Sequence, residues 1–200
     1  MKASRAAVST LAVALLLFLT GSGLGQSVSL AGQLLVASEG MADPRFREAV
    51  IYMVRHDETG ALGLIVNRPV TVIGVADFLR DLGRDGRGMS GTIRIHYGGP
   101  VAPSLGFVLH TPEWKGRETR MLGDGIALTT AMEIVEAIGH GTGPRRALVV
   151  LGYAGWRARQ LEAEIAADRW VSVTADESVL FDDDATTKWK RAMARRKITL

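Results

Sequence analysis

Residues 149–165 read VVLGYAGWRARQLEAEI. Val149–Leu151 completes an apolar run begun at Ala147, the pattern of a strand buried on both faces. A Gly-Tyr-Ala-Gly segment follows. Beyond it, Trp156 and Gln160 stand one helical turn apart. Ala158, Leu161 and Ile165 share the inward side of a helix. Arg157, Gln160 and Glu164 fall on the outer side, with Arg159 and Glu162 spaced for a weak surface pair. The stretch predicts a strand over 147–151, a turn over 152–155 and a helix over 156–167. A strand feeding a helix is the building unit of α/β folds.

Working outward, the same alternation holds along the chain. Gln33–Ala37 is a short apolar strand. Met41–Phe46 is a turn, because Asp43 before Pro44 disfavours helix. Ala49–Val54 and Leu62–Val66 read as strands joined by the polar break Asp57–Gly60, hence antiparallel neighbours. Val75–Leu82 has helical spacing and stops at Gly83. Ile93–Tyr97 and Gly106–His110 flank GGPVAPSL and predict a second strand pair. Thr129 or Thr130 is placed to cap a helix over 131–138, ended by Gly139–Gly143 and Pro144. Trp170–Val173 and Val179–Phe181 read as short strands, and Thr186–Arg196 as a terminal helix. The expectation is a single-domain α/β fold of α+β type: a mixed sheet with flanking helices.

Two hundred residues suit one domain. The chain has no cysteine, which excludes disulfides, iron–sulfur clusters, thiol nucleophiles and thiolate zinc sites. At the N-terminus, Lys2 and Arg5 precede Leu11–Leu19 (LAVALLLFL), and TGSGLGQS follows. This is the order of a secretory leader, predicted over residues 1–25, with the domain over 26–200. The apolar run is too short to span a bilayer comfortably. A genuine leader implies a periplasmic or secreted protein; an uncleaved or misassigned start implies a cytoplasmic one. Without Lys2 and Arg5, 22 basic residues face 21 acidic ones, which argues against a broad nucleic-acid footprint.

Familiar catalytic signatures are absent. Gly139–Gly143 (GHGTG) follows a helix and precedes a strand, the reverse of a phosphate loop. At the position of a hydrolase nucleophile elbow stands Ala154. The four histidines, at 56, 96, 110 and 140, lack metal-ligand spacing. His56 and His110 both lie at predicted strand ends, where a metal site with Asp43 or Asp57 is conceivable but disfavoured. No metal and no cofactor are expected. The turn 152–157 has more content. A helix N-terminus there would offer free amides and partial positive charge, with Arg157 and Arg159 beside it, to a small anion or a partner's carboxylate. The tail Lys188–Lys197 holds six basic residues around Trp189 and Met193. Its plain reading is a packed helix with a solvated face; the alternative is nucleic acid or membrane binding.

The order and spacing of GQLLVA, MADPRFREAVIYMVRH, GALGLIVNRP, YGGPV, GFVLHTPEW, ALTTAMEIVEAIG and VVLGYAGWRARQLEAEI resemble the YqgE/AlgH family from about Gly32 to the terminal helix. The resemblance implies one compact domain with a branched, strongly coiled mixed sheet. It implies no reaction. The family's label as a transcriptional regulator comes with no DNA-binding helix pair, and none is present here. Its recurring positions fall on Asp43, Pro44, His56, Asn67, Pro69, Gly98, Gly99, Pro100, His110, Gly152, Tyr153, Gly155, Trp156, Gln160 and Glu162. Two departures stand out: Glu39 replaces the usual proline, and members are ordinarily cytoplasmic.

The expected function is non-catalytic binding or regulation of an unidentified protein or small anionic ligand. The surface would comprise Asn67, Pro69, Gly98, Gly99, Pro100, His110, Gly152, Tyr153, Trp156, Arg157, Gln160 and Glu162, with no catalytic residue assigned. Competing readings are a hydrolase or transferase using His56 or His110 with an acid, and nucleic-acid binding through the tail.

Overall fold

The computed structural model describes residues 29–123 and 125–196; the predicted leader lies outside them. The chain opens with β1 (Gln33–Ala37), β2 (Val50–Asp57) and β3 (Gly60–Ile65), an antiparallel meander. Next come β4 (Pro69–Gly74), α1 (Val75–Asp81), β5 (Thr92–Tyr97) and β6 (Val101–His110). They are followed by β7 (Thr119–Met121), β8 (Ala127–Thr129), α2 (Glu133–Gly139) and β9 (Ala147–Arg157). The chain ends with α3 (Gln160–Ala166), β10 (Trp170–Thr174), α4 (Glu177–Leu180) and α5 (Ala185–Met193). The strands form one curled mixed sheet, in the order β10-β1-β2-β3-β9-β6-β8-β7, with β4 and β5 branching from β9. Only β5 and β9 run parallel among these pairings.

Strand residues alternate between two cores, as a period of two demands. Leu34, Val36, Val50, Tyr52 and Leu64 face one side, with α4 and α5 packed over it. Leu35, Ala37, Ile51, Met53 and Ile65 face the other, with Leu161 of α3. A third cluster joins α1 and α2 to β5, β6 and β9.

β9 departs from the sequence reading. It does not stop at Leu151 but continues to Arg157. Residues 147–151 pair with β6, and 149–151 also with β5. Residues 154–157 pair instead with β3. Gly152, at φ +73°, bends the strand from one set of partners to the other. The helix begins only at Gln160, after Arg159 turns at φ +61°. So the predicted second pair is not a pair: β9 lies between β5 and β6.

The crossing at Gly152 is backbone against backbone. A Cβ at Gly98 would lie 2.2 Å from the Gly152 carbonyl oxygen, and one at Gly152 would lie 2.6 Å from that of Gly99. Gly98 N donates to Leu151 O at 2.7 Å and Gly98 O accepts from Ile65 N at 2.9 Å.

Other expectations are corrected. β4, β7 and β8 carry short or exposed apolar patterns that the periodicity missed. Residues 179–180 are helical, because Asp176 caps α4 by accepting from Ser178 N at 2.7 Å. Neither Thr129 nor Thr130 caps α2, whose N-cap is Met132 without a side-chain bond; their hydroxyls bind His110 and Glu118.

α5 docks through two unusual contacts. Trp189 Nε1 donates to Ala37 O at 2.7 Å. Lys188 is fully buried, its ammonium donating to Leu180 O at 2.8 Å and Val66 O at 3.1 Å. Burial pushes Lys188 down to about 8. Burial, then the Lys188 charge, pushes His96 down to about 4. The basic tail is thus partly committed within the chain: Lys188 is buried, and nearer the surface Arg191 pairs with Asp182 and Arg195 with Asp176.

Gly98→Ala should cost about 3 kcal/mol or more in chemical denaturation, while Gly40→Ala, with open space around it, should stay within about 0.5 kcal/mol. For Lys188, the unfolded chain binds the proton more tightly than the folded one. Stability should therefore rise from about pH 8 toward 10.5. Urea titrations across that range should show the parent gaining on Lys188→Met; parallel pH profiles would contradict the assignment.

Candidate functional site

Four segments converge on one small cleft. The first is the turn 41–46. Asp43 Oδ1 accepts from Arg45 N at 2.9 Å, and Phe46 N donates to Asp43 O at 3.0 Å, an Asx arrangement suited to Asp before Pro. The Arg45 side chain folds back, its Nη2 donating to Asp43 Oδ2 at 2.7 Å and its guanidinium lying 5.7 Å from the Phe46 ring centre. The Arg45 guanidinium holds Asp43 below its ordinary range. The second segment is Pro100 and Val101, leaving the glycine crossing. The third is the far end of β9 with α3, supplying Gly155, Trp156, Gln160 and Glu164. The fourth is Arg169 and Trp170 at the start of β10. Together with Met41 they enclose about 260 Å³.

Glu164 organises the floor. Its Oε2 accepts from Trp170 Nε1 at 2.8 Å and from Trp156 Nε1 at 3.0 Å. Its Oε1 accepts from Gln160 Nε2 at 3.0 Å, and Gln160 Oε1 in turn accepts from Arg157 N at 3.1 Å. Burial pushes the Glu164 carboxyl up, but the Gln160, Trp170 and Trp156 donors outweigh it and hold the group below its usual range. The tryptophan rings meet edge to face at 5.9 Å and 80°, and Phe46 meets Trp170 at 5.7 Å and 71°. Both indoles are buried. The floor is therefore rigid and its polar atoms are largely satisfied.

Of the residues expected on the surface, Pro100, Trp156 and Gln160 line this cleft. The others do not join them. Asn67 braces a turn, its Oδ1 accepting from Val50 N and its Nδ2 donating to Glu48 O. Pro69 opens β4. Gly98, Gly99 and Gly152 form the crossing beneath. Tyr153 packs on Phe107. Arg157 points to solvent, and Glu162 turns to His56. The expected anion site at a helix start over 152–157 is overturned, since residues 154–157 pair with β3. Ala158 is exposed rather than inward, while Gln160 and Glu164 face in. The contributions of Arg45, Phe46, Glu164, Arg169 and Trp170 were not foreseen. A signal existed in the i, i+4 spacing of Gln160 and Glu164 beside two tryptophans.

The histidines are separately engaged. His56 Nδ1 accepts from Leu30 N at 3.1 Å, so Nε2 carries the proton and donates to Glu162 Oε1 at 3.3 Å. His110 Nδ1 donates to Thr111 O at 2.8 Å, and its Nε2 accepts from the Thr129 hydroxyl at 2.9 Å. Burial pushes the His110 imidazole down from its ordinary value. Among the described residues, no three His, Asp or Glu side chains gather as a metal-binding group.

Fold and cleft define a single-domain α/β protein built on one curled, largely antiparallel sheet with several helices. The chain belongs to the AlgH-like family: the family model, DUF179, matches residues 34–200. A UPF0301 protein of Rhodospirillum rubrum is 39% identical over 166 residues, 83% of this chain and 86% of that one. One from Methylobacterium nodulans is 44% identical over 172 residues, 82% of each. The solution structure of AlgH from Pseudomonas aeruginosa superposes with a TM-score of 0.73 at 38% identity, covering 86% of this chain and 92% of that one. A Corynebacterium diphtheriae protein at 18% identity shares the fold, with a TM-score of 0.67 over 84% of this chain and 87% of its own. The family's biochemical activity is not established.

Glu164→Leu should strand two indole N–H groups and cost about 3 kcal/mol, with a shift in tryptophan emission. Glu162→Leu, on the same helix, should cost about 1 kcal/mol or less. Equal losses in denaturation would remove Glu164 from its organising role.

Proposed function

We propose that this protein is a non-catalytic binding protein and that the cleft between the 41–46 turn, Pro100–Val101 and α3 is its binding surface. The observation that carries the reading is the Glu164 floor. A carboxylate holding two indoles and an amide makes a fixed seat, part apolar and part polar, whose bonded polar groups are already partnered. Pre-formed concave sites of this kind favour recognition, because little ordering is lost on binding.

The competing readings have weaker support. Acid–base catalysis needs a nitrogen or oxygen free to exchange a proton with substrate. Both nitrogens of His56 and both of His110 are already bonded. Nucleic-acid binding through the tail needs free cations; Lys188 is buried, and Arg191 and Arg195 are paired with Asp182 and Asp176, which leaves Lys190 and Arg196 exposed among the described residues.

The test is a fragment screen followed by ¹⁵N-detected NMR. Fragments that bind should move the indole N–H signals of Trp156 and Trp170. Val101→Trp should abolish those shifts by filling the cleft, while Leu82→Lys, on an exposed residue of another segment, should leave them intact. Hits that map elsewhere, or that survive Val101→Trp, would overturn the assignment.

A further inference from the structure

We propose that the cleft binds a small amphiphilic carboxylate, with its apolar body against Phe46 and Val101 and its carboxylate on the guanidinium of Arg169. This rests on the binding reading above and adds the chemical class of ligand.

Open hydrogen-bonding positions at the cleft select that class. Both Asp43 oxygens are taken by Arg45, through its backbone N–H, Nε and Nη2. Glu164 accepts three donors, close to the capacity of a carboxylate. The acids at the cleft are thus nearly saturated. The donors are not. Arg45 keeps its Nη1 group, and the Arg169 guanidinium has no ion pair or side-chain hydrogen bond among the described residues. A ligand offering acceptors completes this rim, whereas one offering donors meets oxygens already in use. A cationic ligand would also face both guanidiniums.

Arg169 is held for the task. Its N–H donates to Glu164 O at 3.0 Å and its carbonyl accepts from Ser38 N at 3.0 Å, so the side chain swings from a fixed stem. Its charge also offsets that of Glu164, a lining carboxylate that already accepts three N–H donors. A planar guanidinium matches a carboxylate through two parallel bonds. The cleft's volume of about 260 Å³ limits the apolar body to about one ring or a short chain, below the usual range for drug-sized ligands. Val101, 38% exposed, and the partly buried Phe46 give that body its wall.

Three matched probes test the class: 4-phenylbutyrate, 4-phenylbutanol and 4-phenylbutylamine, titrated into the parent and into Arg169→Gln. The acid should bind about tenfold more tightly than the alcohol, and the amine most weakly. Arg169→Gln should weaken the acid about tenfold and leave the alcohol unchanged. The variant's amide spectrum reports that the fold is intact. If acid and alcohol move the Trp156 and Trp170 indole signals equally, the cleft stands and the carboxylate assignment falls. That assignment also falls if Arg169→Gln binds the acid as the parent does. If none of the three probes moves those signals, the cleft itself is wrong.

Discussion

Two stretches of main chain cross in contact at Gly98–Gly99 and Gly152–Tyr153, and the rest of the molecule is arranged around that crossing. A side chain on Gly98 would overlap the Gly152 carbonyl, so the approach exists only because the sequence supplies bare backbone there. The closeness lets one strand serve two parts of the sheet. β9 is flanked by β5 and β6 before the bend; after it Tyr153 still pairs with Val101 of β6, and residues 154–157 pair with β3. Without the bend, β3 and β6 could not share a neighbour, and the sheet would split into two pieces, each with an exposed edge.

The cleft inherits its shape from this crossing. Pro100 and Val101 are the first residues to leave it on one side, and Gly155 and Trp156 follow one residue beyond it on the other. Gly98 is also tied to Leu151 and Ile65 by backbone bonds. The two walls therefore hold their spacing through main chain rather than through adjustable side chains. Trp156 meets Trp170 across the gap between β9 and β10, and Glu164 bonds both indoles from α3. A helix of seven residues is too short to be stable by propensity; the carboxylate in its middle anchors it to two strands at once.

Much of the fold was legible in the sequence, and the failures have a common cause. Strands with period-two apolar patterns, such as β1 and β2, declared themselves, as did α1 and α5. The Gly-Tyr-Ala-Gly segment misled because glycine serves both turns and strand bends, and local pattern does not separate them. Whether Gly152 ends a strand or redirects it depends on β3, about 90 residues earlier in the chain. β4 was missed because four of its six residues are exposed, leaving no inward stripe to read. The same limit governed the site. Pro100, Trp156 and Gln160 came from the correct neighbourhood. Arg169 and Trp170 reach the cleft only through β10 pairing with β1, a contact without local signature. His110 and Asn67 were placed on the surface because they are recurring positions of the resembled family, yet His110 is bonded to Thr111 and Thr129 and Asn67 to the backbone of Glu48 and Val50.

The bonding of the polar groups is the ground on which the proposed recognition reading is preferred to acid–base chemistry. Buried polar atoms must be bonded, and here nearly every inward group is bonded to another part of the chain. His56 joins Leu30 to Glu162, His110 joins Thr111 to Thr129, Asn67 joins Val50 to Glu48, and Glu164 joins α3 to two strands. Each functions as a brace between segments far apart in sequence. A brace has no bond to spare for a substrate, because donating it would release the segment it holds. At the cleft, unfilled valence remains mainly at the rim, on guanidiniums whose removal would leave the floor intact. On the binding reading proposed above, such a division, with a saturated interior and open donors at the edge, would let a ligand bind and leave without disturbing the braces on which the sheet depends.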